Sequence, residues 1–171
     1  MEHARPHSPP VIAAALTVPR VDARTELAAR ALALARSTAL GVLGDPAAAE
    51  DVAQEVAIVA LQRSPRDPAK LDAWLHRVAV RKAIDETRRR KRRPTVALDE
   101  FHDVGVEDEG IARVLTLLRP LPPRQRAALT LRYVHDLPDD AIARALGCRP
   151  ATVRSLLSRG RDALRETLEE T

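Results

Sequence analysis

Residues 139–161 have the pattern of a helix-turn-helix, two short helices that cross closely around a sharp turn. Ala143 is small enough to let the helices approach, Gly147 can take the left-handed conformation that ends the first helix, and Val153 returns an apolar side chain to the core. Further apolar residues recur at helical spacing and predict the rest of the buried face: Ile142, Leu146, Cys148, Leu156 and Leu157. The end of the chain is therefore constrained to helices around a fixed turn.

The outer face of the second helix carries hydroxyl and guanidinium groups. Such groups suit phosphates and guanine edges in a DNA major groove. A surface hairpin with a solvated basic face is the alternative interpretation. We predict DNA contacts by Thr152, Arg154, Ser155, Ser158, Arg159 and Arg161.

The scarcity of aromatic residues extends this helical prediction to the whole chain. Of 171 residues, 45% are hydrophobic but only 2% are aromatic. The core must then be built from Ala, Leu and Val, which suits helices better than strands. We predict an all-α fold of two small helical domains joined by a flexible linker, the second being the helix-turn-helix domain.

Proline, glycine and charge patterns predict the boundaries of these domains. We expect a disordered N-terminal extension (1–21), a helical domain (22–93), an acidic linker without Lys or Arg (94–110) and the helix-turn-helix domain (111–171). Gly44-Asp45-Pro46 has the form of a helix stop followed by an N-cap and a first-turn proline. The predicted helices run from about Asp22 to Leu43, 46 to 63, Leu71 to Arg92, Ile111 to Leu118 and Arg124 to Val134, with a final helix ending near Leu168.

Two charged zones of the first domain indicate different partners. Nine basic and two acidic residues lie between His76 and Arg93, a local excess of +7 that would attract a nucleic-acid backbone. The helix over 46–63 has Val52, Val56, Val59 and Leu61 as its predicted apolar set, and its first half is acidic. That acidic face suits a basic protein surface. An ordinary solvated helix surface is the alternative for both zones.

Several function classes lack support in the sequence. One cysteine excludes an internal disulfide and a multi-cysteine zinc site, and the five histidines have no metal-ligand spacing. Paired catalytic residues and glycine-rich phosphate loops are also missing, so we expect neither an enzyme nor a cofactor. No apolar run has membrane-spanning length, and Val11–Leu16 is too short for a secretory signal, which predicts a cytoplasmic protein without membrane insertion.

Several motifs together resemble the extracytoplasmic-function (ECF) group of bacterial RNA polymerase sigma factors. The resemblance covers nearly everything from residue 25 to 168, with the motifs in the family's order. They are Gly44-Asp45-Pro46, Ala49-Glu50-Asp51-Val52, Gln54-Glu55, Ala73-Trp74-Leu75-His76-Arg77-Val78-Ala79, Ala83-Ile84-Asp85, Leu121-Pro122-Pro123-Arg124-Gln125-Arg126 and the helix-turn-helix.

The resemblance implies a sigma factor that binds core polymerase and reads and melts promoter DNA. Its implied partners are the clamp helices and flap of core RNA polymerase, promoter DNA and an anti-sigma factor. The loop Ser64–Leu71 matches the family's pocket for a flipped promoter base. The implied polymerase contacts are Asp45, Glu50, Asp51, Gln54 and Glu55. The implied minus-ten DNA contacts are Arg66, Lys70, Trp74, Arg77, Arg81, Lys82, Arg88 and Arg89, and the helix-turn-helix residues given above would read the minus-thirty-five element.

A one-component helix-turn-helix regulator is the alternative function. Such a regulator needs no acidic polymerase-docking helix and is usually a symmetric dimer on a palindrome. In the second helix of the motif, Leu156 stands where the sigma family commonly has a basic residue. A sigma factor with this sequence would accordingly read a different promoter element.

Overall fold

The computed structural model describes residues 22–92 and 109–169, and within these ranges the chain forms helices and turns without a β-strand. The prediction of an all-α chain is confirmed. A short 3₁₀ helix, Pro68–Lys70, leads into α3. The α-helices of this described part are α1 (Ala23–Leu43), α2 (Pro46–Arg63), α3 (Leu71–Arg92), α4 (Glu109–Leu118), α5 (Pro123–Tyr133), α6 (Asp139–Leu146) and α7 (Pro150–Glu169).

The helix boundaries agree closely with those predicted from the sequence. The exception is α4, which begins at Glu109, two residues before the predicted start, because the polar Glu109-Gly110 pair has no apolar period of its own. The second helix of the helix-turn-helix and the predicted final helix are one continuous element, α7. The predicted extension over 1–21 and the linker residues up to 108 lie outside the described residues.

The junction between α1 and α2 has the predicted capping chemistry. Gly44 ends α1 with φ of 66°, in the left-handed region. The Asp45 carboxylate then accepts a hydrogen bond of 3.1 Å from the backbone N–H of Ala48, and Pro46 occupies the first turn. An N-cap of this kind stabilises a helix by about 1 kcal/mol. The junction thereby fixes the direction in which α2 presents its acidic face.

The N-terminal domain, α1–α3, is built around small side chains. Fully buried alanines lie in both α1 and α2, so the two backbones can approach closely, and Leu75 and Val80 of α3 complete the core. The prediction was wrong for Leu61, which is 36% exposed, because it lies on a different face of α2 from Val52 and Val56. The fully buried alanines include Ala31, Ala35, Ala39, Ala49, Ala53 and Ala60.

The C-terminal domain, α4–α7, contains the predicted helix-turn-helix. Gly147 ends α6 with φ of 61°, and the backbone N–H of Cys148 donates to the carbonyl of Ala143 at 3.0 Å. Ile142 and Val153 are completely buried where α6 and α7 meet. The glycine turn and apolar spacing thus leave one face of α7 in the core and the opposite face in solvent.

The two domains pack directly against each other, which the sequence did not predict. Helix α1 lies against α5, and α3 lies against α6. The closest approach is at Gly41 of α1, where an added Cβ would lie only 2.8 Å from Cγ2 of Thr130 in α5. The buried apolar residues of both domains form one continuous cluster. We call this contact of α1 and α3 with α5 and α6 the closed arrangement.

Candidate nucleic-acid interface

The exposed face of α7 carries the side chains predicted to contact DNA in the major groove. All six predicted residues are exposed, whereas Val153 and Leu157 on the opposite face are buried. Leu156 is partly buried and packs against the core. The hydroxyl and guanidinium groups of this face can therefore reach a partner without disturbing the core.

The polar groups of α7 are weakly engaged by the protein itself. The guanidinium of Arg154 lies 3.9 Å from the carboxylate of Asp139, and Arg159 has no ion pair with any described residue. The Ser155 hydroxyl donates to the backbone carbonyl of Ala151 at 3.2 Å. These groups keep donors available for phosphates or base edges.

Arg161 differs from the other predicted residues of α7 in its surroundings. It lines an apolar groove of about 840 Å³ that is formed by α1, α4, α5 and α7. Tyr133 and Leu164 line the same groove. The guanidinium of Arg161 is exposed at the edge of this groove, one turn beyond Arg159 along α7.

The arginines of α3 face a cleft between the two domains. Arg77, Arg81 and Arg88 are exposed, but they line one wall of a cleft of about 270 Å³. Arg124 of α5 and Gly147, at the end of α6, lie on the other wall. A nucleic-acid strand that followed α3 would therefore meet the C-terminal domain in the closed arrangement.

The basic end of α3 is partly neutralised by carboxylates of the same domain. Arg88 lies 3.3 Å from Asp85, and Arg89 pairs with Glu86. Arg90 contacts Glu86 at 3.0 Å and Asp45 at 2.8 Å. The local excess of +7 counted from the sequence overstates the charge that this helix end offers to a phosphate backbone.

Ion pairs also join the predicted polymerase residues of α2 to the predicted DNA residues of α3. The Lys82 ammonium lies 2.7 Å from the Glu55 carboxylate. Burial opposes ionisation of Asp45, but hydrogen bonds from Arg90 and from the Ala48 N–H outweigh it and lower the pKa of that carboxyl. The acidic and basic zones are thus electrostatically coupled.

The loop before α3 brings two further predicted DNA residues to the surface. Arg66 is exposed, and Lys70 lies 3.5 Å from Asp67. The Asp67 carboxylate accepts a hydrogen bond from the backbone N–H of Ala69, which holds the short 3₁₀ helix. Trp74 is partly buried at the edge of the core, so only part of its ring is available to a ligand.

The outer face of α2 combines carboxylates with exposed apolar surface. Asp51, Gln54 and Glu55 are exposed, and Ile58, one turn further along, is 54% exposed. Glu50 accepts a hydrogen bond from Gln54 at 3.3 Å and lies 3.5 Å from Arg36. Such a mixture of acidic and apolar groups is suited to a protein partner rather than to DNA.

Sequence reasoning missed the polar contact at the centre of the domain interface. His135, between α5 and α6, lies beside Thr38 of α1 and His76 of α3. A local signal existed for His76, since it falls at helical spacing with the buried residues Ala79 and Ala83. Its partner on the other domain had no such signal.

Other kinds of site find no support among residues 22–92 and 109–169. No group of three or more His, Cys, Asp or Glu side chains there could hold a metal ion. In the same ranges, no helix is both long and apolar enough to cross a bilayer. The binding surfaces on α2, α3 and α7 are therefore the candidate functional features.

Two sigma-factor families match this chain in the order of its two domains. Residues 27–93 match Sigma-70 region 2, and residues 111–164 match Sigma-70, region 4. The first match covers most of α1–α3, and the second covers most of α4–α7.

Curated relatives of the chain are sigma factors. The chain is 35% identical over 133 residues to the ECF RNA polymerase sigma factor SigE of Mycolicibacterium smegmatis, covering 70% of this chain and 51% of that protein. It is 32% identical over 144 residues to the RNA polymerase sigma-E factor of Streptomyces avermitilis, covering 80% and 79%. The match thus spans about half the length of the first relative and most of the second.

A solved structure shares the arrangement of helices. It is the sigma factor RpoE in complex with the anti-sigma factor NepR from Bartonella quintana, with a TM-score of 0.68 and 25% sequence identity. The match covers 85% of this chain and 96% of that one.

Proposed function

The chain belongs to the ECF group of RNA polymerase sigma factors, and we propose that it directs promoter-specific transcription initiation by binding core polymerase and by reading and melting promoter DNA. One observation carries this proposal. The helix-turn-helix presents an exposed polar and basic face on α7, and the domain before it presents an acidic and apolar face on α2. A promoter-specificity subunit needs both a DNA-reading surface and a polymerase-docking surface on one chain.

The proposed minus-thirty-five reader is α7. Thr152, Arg154, Ser155, Ser158 and Arg159 lie together on its solvent face, and Arg161 follows at the groove edge. A guanidinium that donates two hydrogen bonds to a guanine discriminates that base by about 1–3 kcal/mol. Hydroxyl groups and the remaining arginines would position the helix on phosphates.

The proposed polymerase-docking surface is α2 with its N-cap. Asp45, Glu50, Asp51, Gln54 and Glu55 would face the clamp helices of the large subunit. Each exposed charge pair contributes less than about 1 kcal/mol, so docking relies on several such pairs together with apolar contact at Ile58. The flap of the polymerase would receive the C-terminal domain.

The proposed minus-ten surface is the loop before α3 together with α3 itself. Arg66, Lys70 and Trp74 would hold a flipped base, and Arg77, Arg81, Lys82, Arg88 and Arg89 would follow the opened strand. Unstacking a base costs a few kcal/mol, which phosphate contacts and partial stacking would offset. In the closed arrangement the C-terminal domain faces this surface across the cleft.

We also propose an anti-sigma partner and a cytoplasmic location. The related Bartonella quintana sigma factor was solved with an anti-sigma factor, which supports a similar partner here. Core polymerase and promoter DNA are in the cytoplasm, so the proposed role requires that location. The role is one of binding and positioning, with the chemistry of RNA synthesis left to the polymerase.

Runoff transcription with core polymerase on a promoter library tests this function. We expect discrete transcripts that require the protein and share upstream sequence elements. Asp51→Lys should weaken core binding and reduce transcript yield, whereas Glu26→Lys, a matched charge reversal on exposed α1, should leave both unchanged. A protein that instead binds a palindrome as a dimer and never binds core polymerase would be a one-component regulator.

A further inference from the structure

One imidazole joins three helices of the two domains. Nε2 of His135, in the segment after α5, lies 2.8 Å from the Thr38 hydroxyl and 3.4 Å from the Ser37 hydroxyl of α1. Its ring also meets the ring of His76 in α3 edge to face, with centroids 4.6 Å apart and planes at 72°. The contact therefore lies where α1, α3 and the C-terminal domain meet.

The surroundings of this histidine pair are poorly suited to a positive charge. His76 is only 6% exposed, and its Nδ1 has no hydrogen-bond partner among the described residues. Thr38 is completely buried, and its hydroxyl also contacts the carbonyl of Leu34. A second proton on either ring would add an unpaired charge to a buried polar contact.

The charged groups around the pair do not remove this penalty. Burial and the neighbouring His135 lower the pKa of His76 to about 4, and the Asp72 carboxylate opposes this shift only partly. Asp72 is itself ion-paired to Arg30 of α1 at 2.5 Å. Burial also lowers the pKa of His135, which faces neutral hydroxyls on α1 and the second imidazole on α3.

We propose that this histidine pair is a proton-sensitive contact that holds the domains closed when both rings are neutral and separates them when one ring gains a proton. Separation moves the C-terminal domain away from the cleft wall formed by α3. The arginines that line this wall then become open on the side that faced Arg124 and Gly147. The contact would thus link acidification to the exposure of the α3 surface.

The direction of the pH dependence follows from the lowered pKa. In the open arrangement each ring regains an ordinary pKa near 6.5, so the open form binds the proton more tightly. The closed arrangement keeps its full advantage above pH 6.5 and loses it as the pH falls from 6.5 towards 4. For His76 alone, the shift from pH 7.5 to 5.5 favours the open form by about tenfold.

A distance measurement between the domains tests the proposal without relying on transcription. Spin labels would be placed at Gln62→Cys in α2 and Glu166→Cys in α7, both exposed, after Cys148→Ser has removed the native thiol. Pulsed electron paramagnetic resonance should give one short distance at pH 7.5 and a growing population of long distances at pH 5.5. The same distance distribution at both pH values would overturn the proposal.

Variants of the two rings identify the responsible groups. His135→Gln and His76→Leu cannot take up the proton, so each should reduce the change between pH 7.5 and 5.5, and the double variant should abolish it. His102→Gln, a histidine outside the described residues, is the matched control and should respond like the wild type. A full response in the double variant would show that other groups open the domains.

A second measurement guards against variants that fail to fold. Nuclear magnetic resonance of the histidine rings in the unaltered chain should show that His76 stays neutral well below pH 6.5 while the domains are closed. A His76 ring that titrates near pH 6.5 without a change in the interdomain distance would refute the coupling.

Discussion

Helices α3 and α7 both carry arginines predicted to contact DNA, but the protein surrounds them differently. At the end of α3, Arg88, Arg89 and Arg90 pair with carboxylates of their own domain. On α7, the solvent face that includes Arg159 stands clear of the core and of the other domain. The comparison shows that a dense basic run in a sequence overestimates the charge available to a ligand.

The difference arises from how each helix packs. Helix α3 contacts both α1 and α2 within its domain and also meets α5 and α6 of the other domain, so little of its circumference is free. Helix α7 packs through one apolar face, centred on Val153 and Leu157. We infer that α7 is ready to bind duplex DNA, whereas α3 becomes fully accessible only when the domains separate.

The largest effect is expected from a wedge between the domains. Gly41→Leu places side-chain atoms where Thr130 already lies, and overpacking of this kind costs about 1–3 kcal/mol. Because the clash is between domains, we expect the radius of gyration to increase at pH 7.5 while helix content stays the same. Ala33→Leu, at an exposed position of α1, is the control and should leave small-angle scattering unchanged.

The next effect concerns base recognition by α7. Arg154→Ala or Arg159→Ala should weaken binding to the selected upstream element by about 2 kcal/mol if the guanidinium reads a guanine, with relaxed preference at one position. Ser155→Ala should cost less, since water can replace one hydroxyl contact. Binding selections on a randomised element measure this, and identical sequence logos for all variants would exclude α7 as the specificity helix.

The salt dependence of DNA binding separates free arginines from paired ones. Each lost phosphate contact lowers the slope of log affinity against log salt by about 0.9 for duplex DNA. Since Arg88, Arg89 and Arg90 are held by carboxylates, their triple replacement by alanine should lower the slope by less than three such contacts. A full decrease would show that these ion pairs dissociate readily on binding.

The smallest effect is expected for the ion pair between α2 and α3. Lys82 and Glu55 are partly exposed, so a double-mutant cycle with alanine should give a coupling free energy of unfolding below about 1 kcal/mol. A larger value would mean that the polymerase-docking and DNA-contacting surfaces are rigidly joined. Chemical denaturation of the two single variants and the double variant measures the coupling.

The sequence predicted features that depend on neighbouring residues. The left-handed glycine at Gly147, the N-cap at Asp45 and the apolar spacing around Val153 each follow from local geometry, and the structure contains all three. The exposed face of α7 followed directly, because the residues opposite a buried helical face must face solvent.

Contacts between distant parts of the chain had no comparable signal. Thr38 and His135 are separated by 97 positions, and nothing in either local pattern indicates the other. The close approach of Gly41 to Thr130 likewise depends on how two finished domains fit together. The pairing of Arg90 with Asp45 could be anticipated as favourable but not located, since several carboxylates were equally suitable by sequence.

The rate at which a single cysteine is alkylated tests the contrast between α3 and α7 most directly. In the Cys148→Ser background, Ile84→Cys reports on the cleft beside α3, and Arg159→Cys reports on the free face of α7. The account predicts slow labelling at position 84 by a bulky maleimide and fast labelling at position 159. It further predicts that adding Gly41→Leu accelerates labelling at position 84 alone. Equal rates at the two positions, unchanged by Gly41→Leu, would contradict it.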